Sequence, residues 1–356
     1  MRTVQVNASG SYKVEIGSGL MAQLGAYAAD CVQGRRAALI SDDVVFPLYG
    51  PQATASLAKA GFDVSTYIFP QGESSKNGEN FLRILNFLAE KRLDRRDLLV
   101  ALGGGVVGDL TGFAAAVYLR GVAYIQVPTT LLSMVDSSVG GKTAIDLPAG
   151  KNLAGAFYQP RCVICDTDVL QTLSAQQFRD GCAEVIKYAI LGSPSLFEKL
   201  QTSNPRSDPE NMIAVCVEMK RDIVEKDEFD VGVRQLLNLG HTIGHAIEAG
   251  SGYSLSHGQC VAAGMAVITR AAVRKGYCSQ AVCDRIIGLL QGYGLPTATD
   301  QRIDTIFTAA LGDKKRQGDT ITFVVPRQIG HCQLLRIPTD ELMSWIEAGL
   351  EAGGLS

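Results

Sequence analysis

Asp97-Leu-Leu-Val-Ala-Leu-Gly-Gly-Gly-Val-Val-Gly-Asp109 runs from an apolar segment through three glycines into a second apolar segment. That order predicts a strand, a tight loop and the start of a helix. Glycines let the chain turn sharply and let an anion approach bare N–H groups, and a helix N-terminus adds partial positive charge. Residues 103–108 match G-x-G-x-x-G formally. The acid expected about 20 residues further on is missing, since that stretch reads Ile125-Gln-Val-Pro-Thr-Thr-Leu131. The match also falls outside the first strand-to-helix turn. Two readings therefore stand for the loop alone, a dinucleotide pyrophosphate cradle and a structural turn. Upstream, Asp42 follows the apolar run 36–40 and could hold an adenosine ribose.

Outward from the loop, strand and helix signals alternate. Residues 51–60 are helical in composition and stop at Gly61, 64–69 are β-branched and aromatic, and 77–91 place Phe81, Leu82, Leu85 and Leu88 at helical spacing. Residues 124–127 form another strand, ended by Pro128. This alternation predicts a mostly parallel sheet with helices on both faces. Residues 175–292 carry helix-length periodicity and almost no strand signal, with one late strand at 320–325. The chain is accordingly divided near 160, into an α/β domain (1–160) and a mainly helical domain (161–356), with the cleft between them as the default site.

Composition narrows the function. The 356 residues are 46% hydrophobic and 19% charged with a net charge of −3, which describes a globular protein and excludes disorder and collagen. No basic block favours nucleic acid. No apolar run reaches the roughly 18 residues of a membrane span, and residues 1–10 lack a secretory core, so a cytoplasmic location is expected. Nine cysteines, an odd number, read as reduced thiols. Cys162 and Cys165 lie in a strand-like run where positions three apart face opposite ways, so they read as buried apolar residues.

Three of the four histidines fall within residues 241–257. In Asn238-Leu-Gly-His241-Thr-Ile-Gly-His245 two histidines share one helix face, a metal-binding spacing. The glutamate that zinc peptidases place after the first histidine is absent. His257 follows. A carboxylate is needed to complete the set, and Glu184 is the best candidate, a single acid in an apolar helix. Lys187 lies on the same face, so a buried Glu184–Lys187 ion pair is the competing reading. A Glu/His/His set with an open position suits catalytic zinc. Elsewhere, Asp136-Ser-Ser-Val-Gly-Gly-Lys142-Thr143 and Gly150-Lys-Asn152 suggest an anion pocket but are not a Walker motif, because residue 136 is Asp. Arg120 closes a long apolar helix and could join that pocket or simply cap the helix end.

Taken together, these residues resemble the 3-dehydroquinate synthases, a branch of the sugar phosphate cyclases. The resemblance runs in order through Gly72-Glu-Ser-Ser-Lys76, the glycine loop, Val135-Asp-Ser-Ser-Val-Gly-Gly-Lys142, Ala183-Glu-Val-Ile-Lys187, Asn238-Leu-Gly-His241 and Asp313-Lys-Lys315. It implies a Rossmann-like α/β N-terminal domain and a helical C-terminal domain. It implies conversion of 3-deoxy-D-arabino-heptulosonate 7-phosphate (DAHP), a sugar acid phosphate, to 3-dehydroquinate and phosphate, within aromatic amino acid biosynthesis. The route would be transient oxidation, phosphate elimination, reduction, ring opening and aldol closure, with NAD used catalytically and a divalent metal, Zn2+ or Co2+.

Carried over by motif, Glu184, His241 and His257 are metal ligands. NAD falls to Asp42, Gln71, Gly72, Glu73, Ser74, Ser75, Lys76, Gly105, Val106, Val107, Gly108, Asp109, Thr129, Thr130, Lys142 and Lys151, with Val169, Leu170, Gln171 and Thr172 nearby. Asp136, Lys142, Asn152, Lys187, Lys220, Arg234, Asn238 and His245 would meet the substrate, and Arg120 and Lys314 its phosphate. Arg120 would reach the neighbouring subunit of a homodimer. Two positions depart from the family pattern. Asp230 stands where a glutamate is usual, beside Val233 for leucine, and Gln259 stands where glutamate is common. A shifted contact is expected at the first and a change around the metal ligands, without loss of metal, at the second. The acid at 109 and the 137–142 run favour dehydroquinate over inosose as product, while a valiolone-forming cyclase and a polyol dehydrogenase remain as rivals.

Overall fold

The computed structural model describes residues 1–252, 254–311, 316–317 and 319–350. In chain order it forms β1 (Arg2–Asn7), β2 (Ser11–Gly17), α1 (Leu24–Cys31), β3 (Arg36–Asp42), α2 (Val45–Lys59), β4 (Asp63–Phe69), α3 (Gly78–Glu90), β5 (Leu98–Gly103), α4 (Gly105–Val117), β6 (Ala123–Pro128), β7 (Lys142–Leu147), β8 (Gly150–Phe157) and β9 (Cys162–Asp166). There follow α5 (Ala175–Gly192), α6 (Pro194–Thr202), α7 (Pro209–Val224), α8 (His241–Gly250), α9 (His257–Arg274), α10 (Gln280–Gly292), α11 (Ile303–Leu311), β10 (Arg316–Gln317), β11 (Thr320–Gln328), β12 (His331–Pro338) and α12 (Leu342–Gly349). Two compact units emerge. One comprises Met1–Ser174 with Pro209–Phe229, the other Ala175–Asp208 with Asp230 onward.

The first unit is built on a seven-stranded sheet in the order β1-β2-β9-β6-β5-β3-β4. All neighbours are parallel except β1 and β2. The mostly parallel sheet is thus the one the alternation predicts. β5 is buried along its whole length, which is why it reads as a continuous apolar run. Strand order reverses at β3: β4 lies on one side and β5 on the other. Ligands of open parallel sheets bind outside the carboxyl ends of strands at such a switch point. Asp42 ends β3, Gly103 ends β5 and Pro128 ends β6, so the glycine loop and its companions all sit at that end of the sheet.

Several expectations change. The boundary falls at Ser174, not near 160, because β9 pairs with β2 and β6 and completes the sheet. Helix α7, expected in the helical half, belongs to the first unit and packs against β1, β2 and the Ser133–Ser137 turn. Strand pairing between distant segments leaves no mark in local composition. Residues 142–157 form an antiparallel hairpin, β7–β8, in a stretch for which the sequence suggested an anion pocket and no secondary structure. Helix α4 ends at Val117, and Arg120 follows at φ +66° in a tight turn instead of closing the helix. Helix α2 begins at Val45, ahead of the expected Pro51, because Asp42 Oδ1 accepts the N–H groups of Val44 and Val45.

In the second unit α5, α6, α8, α9 and α10 fall in the expected helical stretch 175–292, α11 and α12 lie beyond it, and β10, β11 and β12 add a small antiparallel sheet. Sequence periodicity showed only β11. Among the described residues no helix is long and apolar enough to cross a membrane.

Candidate active site

The candidate ligand set of the second unit, Glu184, His241 and His257, is assembled from three helices. α5 is buried from Gly181 to Ile190, and within this apolar stretch Glu184 is fully enclosed and Lys187 almost so. Their side chains form an ion pair across one helical turn. α8 starts at His241 behind Gly240, whose φ of +78° is open to glycine. α9 starts at His257, and its N-terminus is set by a capping box: Ser256 N donates to Gln259 Oε1 at 3.0 Å and the Ser256 side chain accepts the Gln259 backbone N–H, while Ser256 Oγ donates to Asp180 Oδ1 at 2.6 Å. Gln259 therefore does what a glutamate would do at that position, and His257 is placed by local hydrogen bonding.

Glu184 Oε1 lies 3.3 Å from His257 Nε2 and 3.5 Å from His241 Nε2. The three ligand atoms lie within 4.8 Å of one another. Zinc bonds of about 2.0–2.2 Å place tetrahedral ligand atoms about 3.3–3.5 Å apart, so the spacing fits a cation at their centre. Leu239 O sits 3.1 Å from His241 Nδ1. A carbonyl only accepts, so Nδ1 carries the proton and Nε2 presents its lone pair to the metal position. Burial opposes a charge on His257, but the hydrogen bond and carboxylate of Glu184, with Glu248, outweigh it and raise its pKa. Glu184 forms the ion pair and also faces the histidines: its Oε2 lies toward Lys187 and its Oε1 toward the two imidazoles.

His245 is exposed, with its ring 5.4 Å from that of His241 and 6.1 Å from that of His257. Glu248, unremarked in the sequence, is buried and forms a second set with His245 and His257. Its signal was available: positions 241, 245 and 248 share one helix face.

In the first unit the sites cluster around Lys76. Lys76 is buried, 2.6 Å from Asp109 Oδ2 and 4.0 Å from Glu73 Oε1, and it donates to Asn152 Oδ1. Burial works against its charge, yet Asp109 and Glu73 outweigh burial and raise its pKa. Glu73 also pairs with Lys151 at 3.4 Å. Burial pushes the Glu73 carboxyl up, but Lys76 and Lys151 prevail and hold it below the usual range. Asp146, a further residue missed in the sequence, accepts the Asn152 N–H at 2.8 Å and donates its own N–H to Lys76 O at 2.7 Å.

At α4 the first intrahelical bond is Gly108 N to Gly104 O, so the N–H groups of Gly105, Val106 and Val107 precede the hydrogen-bond ladder and are available to an anion. A Cβ on Gly108 would lie 2.6 Å from Gln126 Oε1, which explains the last glycine of the run as close helix-to-strand packing. Thr129 N is bonded to Gly103 O, and Thr130 Oγ1 to Ser133 Oγ. The donor-rich helix start, the close glycine packing and the acid–lysine pair fit a dinucleotide.

Other predicted residues are placed as follows. Gln71 N donates to Asp43 Oδ1, Gly72 takes φ +104°, and Ser75 Oγ donates to Pro70 O, while Ser74 O accepts from Asn77 Nδ2. Asp136 is held through its Oδ1 and its main-chain carbonyl by buried Lys220 at 3.1 and 2.6 Å. Lys142, at the start of β7, is exposed. Val169 and Leu170 are core residues, whereas Gln171 and Thr172 are exposed, with Tyr49 Oη on Thr172 Oγ1. Arg234 is almost wholly buried beside Asn238 in the Val233–Asn238 turn, and Asp230 takes φ +61°. Arg120 is exposed and has no ion-pair partner among the described residues. Lys314 and Lys315 lie outside the described residues. All nine cysteines are free and eight are buried; burial pushes the Cys162 thiol up to about 12 and that of Cys165 higher still, as the apolar reading requires.

Comparison with known proteins extends this picture over the whole chain. The family model for the 3-dehydroquinate synthase N-terminal region matches residues 66–180, and that for the C-terminal region matches 181–316. A 3-dehydroquinate synthase from Pelobacter propionicus is 43% identical over 361 residues, covering 99% of this chain and all of that protein. A solved 2-deoxy-scyllo-inosose synthase complexed with carbaglucose-6-phosphate, NAD+ and Co2+ superposes with a TM-score of 0.87 at 26% identity, covering 98% of this chain and 100% of that one. A 2-epi-5-epi-valiolone synthase from Streptomyces hygroscopicus subsp. jinggangensis with NAD+ and Zn2+ bound gives 0.88 at 25% identity, covering 98% of each chain.

Proposed function

The chain belongs to the 3-dehydroquinate synthase family, and on that premise we propose that it converts DAHP to 3-dehydroquinate and phosphate, as a lyase of aromatic amino acid biosynthesis. The observation that carries the chemistry is Glu184 Oε1 at 3.3 and 3.5 Å from two imidazole nitrogens. Dehydroquinate is favoured over the other cyclase products by identity: 43% to a 3-dehydroquinate synthase over the whole chain, against 25–26% to the inosose and valiolone enzymes.

A divalent cation held by Glu184, His241 and His257 would polarise a substrate hydroxyl, and NAD held at the β3, β4, β5 and β6 strand ends would accept a hydride and later return it. The protein supplies placement and charge. Lys187 balances Glu184, so the buried carboxylate carries no uncompensated charge. Lys76 can only donate, so it settles the Asn152 amide with its oxygen toward Lys76 and its NH2 group turned away, where a substrate oxygen can accept. Lys220 holds Asp136 in the same manner. His245 is exposed beside the ligand set and can exchange a proton with substrate. Lys142, exposed in this structure, and Arg120 are the cations proposed to orient the sugar acid and its phosphate, with Arg234 and Asn238 completing the substrate contacts. In this reading Val169, Leu170, Gln171 and Thr172 border the nucleotide, and the remaining NAD contacts are those carried over by motif.

A homodimer and a cytoplasmic location belong to the same proposal. They rest on exposed Arg120 and on the set of free thiols.

The test compares phosphate release from DAHP and from sedoheptulose 7-phosphate, with NAD and zinc present and NADH followed at the same time. Phosphate from DAHP without net NADH is expected. Turnover of sedoheptulose 7-phosphate alone would point to a valiolone-type cyclase, and stoichiometric NADH to a dehydrogenase.

A further inference from the structure

We infer that Asp146 is a positioning residue, which holds the bulge of the β7–β8 hairpin so that the Asn152 side chain meets Lys76. The inference rests on the proposed role of Asn152 at the substrate.

The hairpin is irregular at this point. Leu147 pairs with Gly150 and Ile145 with Ala154, so Asp146 alone faces Lys151, Asn152 and Leu153. A bulge needs a residue in an unusual backbone conformation, commonly a left-handed glycine. Here that residue is Asn152, at φ +53°. Asparagine tolerates the left-handed region better than most residues, but something must fix it there. Asp146 does so by accepting the Asn152 N–H at 2.8 Å.

Asp146 is itself anchored. Its N–H donates to Lys76 O at 2.7 Å, and it forms a parallel bridge with Asn77. One residue thus ties the main chain of the loop that carries Lys76 to the main chain of the bulge that carries Asn152. The two side chains then meet through the Lys76–Asn152 hydrogen bond, with Asp109 on the same ammonium. Removing the Asp146 carboxylate removes the hydrogen bond that holds the Asn152 main chain at positive φ, and relaxation toward negative φ swings its amide away from Lys76. A misplacement of about 1 Å costs a catalytic group up to about 100-fold.

The test uses the full chain with NAD and zinc, and also without them. Asp146→Ala is expected to speed hydrogen exchange of the Asn152 amide at least about tenfold, with or without the cofactors. It should lower kcat/KM for DAHP about 10- to 100-fold. Asp146→Asn keeps an acceptor oxygen of the same reach, so it should remain within about threefold of the parent in both readouts. Unchanged Asn152 exchange in Asp146→Ala would overturn the inference. So would Asp146→Asn falling as far as Asp146→Ala, because charge rather than the accepted hydrogen bond would then be the cause. If the parent itself releases no phosphate from DAHP, the reaction assigned above fails separately, and amide exchange still decides the role of Asp146.

Discussion

Replacing Gly264 by alanine probes how the second unit brings together α8 and α9, the helices that carry the two proposed histidine ligands. Gly264 lies on α9 where α8 crosses it. A Cβ built there stands 2.1 Å from the Gly240 carbonyl oxygen and 2.7 Å from Gly244 N. Carbon–oxygen contacts of this type settle at about 3.3–3.6 Å, so the two backbones must separate by about 1.2 Å. The obstructing atoms are main chain, and no side-chain rotation relieves them. They are also the first hydrogen-bonded turn of α8, Gly244 N to Gly240 O at 2.8 Å, and the next residue is His241. The shift therefore reaches His241, one of the proposed metal ligands. Metal sites tolerate about 0.2 Å in ligand distance, several times less than this displacement. We expect zinc affinity to fall at least tenfold, equivalent to about 1.4 kcal/mol, together with an overpacking cost of about 1–3 kcal/mol in stability. Competition with a chromophoric chelator measures the first and chemical denaturation the second. Gly288→Ala is the control, because nothing lies within 4 Å of its added methyl. Parental zinc affinity in Gly264→Ala would refute the claim that glycine packing between α8 and α9 sets the ligand geometry.

Three further outcomes follow from the charged clusters. Glu184→Gln preserves volume but removes the carboxylate charge that faces buried Lys187, so the metal-free protein should lose stability, by up to about 3–5 kcal/mol, and metal analysis should find little zinc; a full metal complement would remove Glu184 from the candidate ligand set. Lys76→Met strands Asp109 in the same way, and NAD titrations should show weakened affinity; adding Asp109→Leu should recover stability without recovering NAD binding, and recovery of both would contradict a binding role for the pair. Glu73 has a folded pKa held below its ordinary 4.5, so its contribution to stability is complete above about pH 4.5 and is lost as pH falls through the lower folded value. Glu73→Gln should accordingly flatten the acid limb of the stability profile, and an acid limb as steep as the parent's would show that Lys76 and Lys151 do not act through Glu73.

Much of the candidate site was legible because its residues act at short range in sequence. A glycine run after an apolar strand, two histidines one helical turn apart, and a single acid in an apolar helix are local patterns with direct structural meaning. Asp146 and Glu248 escaped for different reasons. Glu248 had a periodic signal that went unread behind the histidines. Asp146 had none, since its role appears only when a bulge turns Asn152 left-handed and the loop at Lys76 comes alongside. The same distinction separates β5, evident from its apolar run, from β9 and α7, whose membership of the first unit depends on partners far away in the chain.

By itself the sequence determined the mostly parallel sheet, the helical stretch that follows it and the family, and it singled out the candidate ligand residues, because periodicity, glycine placement and ordered motifs are properties of contiguous residues. Tertiary structure alone decided where the chain divides, that Glu184 serves Lys187 and the imidazoles at once, and that Asp146 links two loops. Each of these depends on a distance between residues remote in the chain, and such distances are set only when the sheet and helices pack.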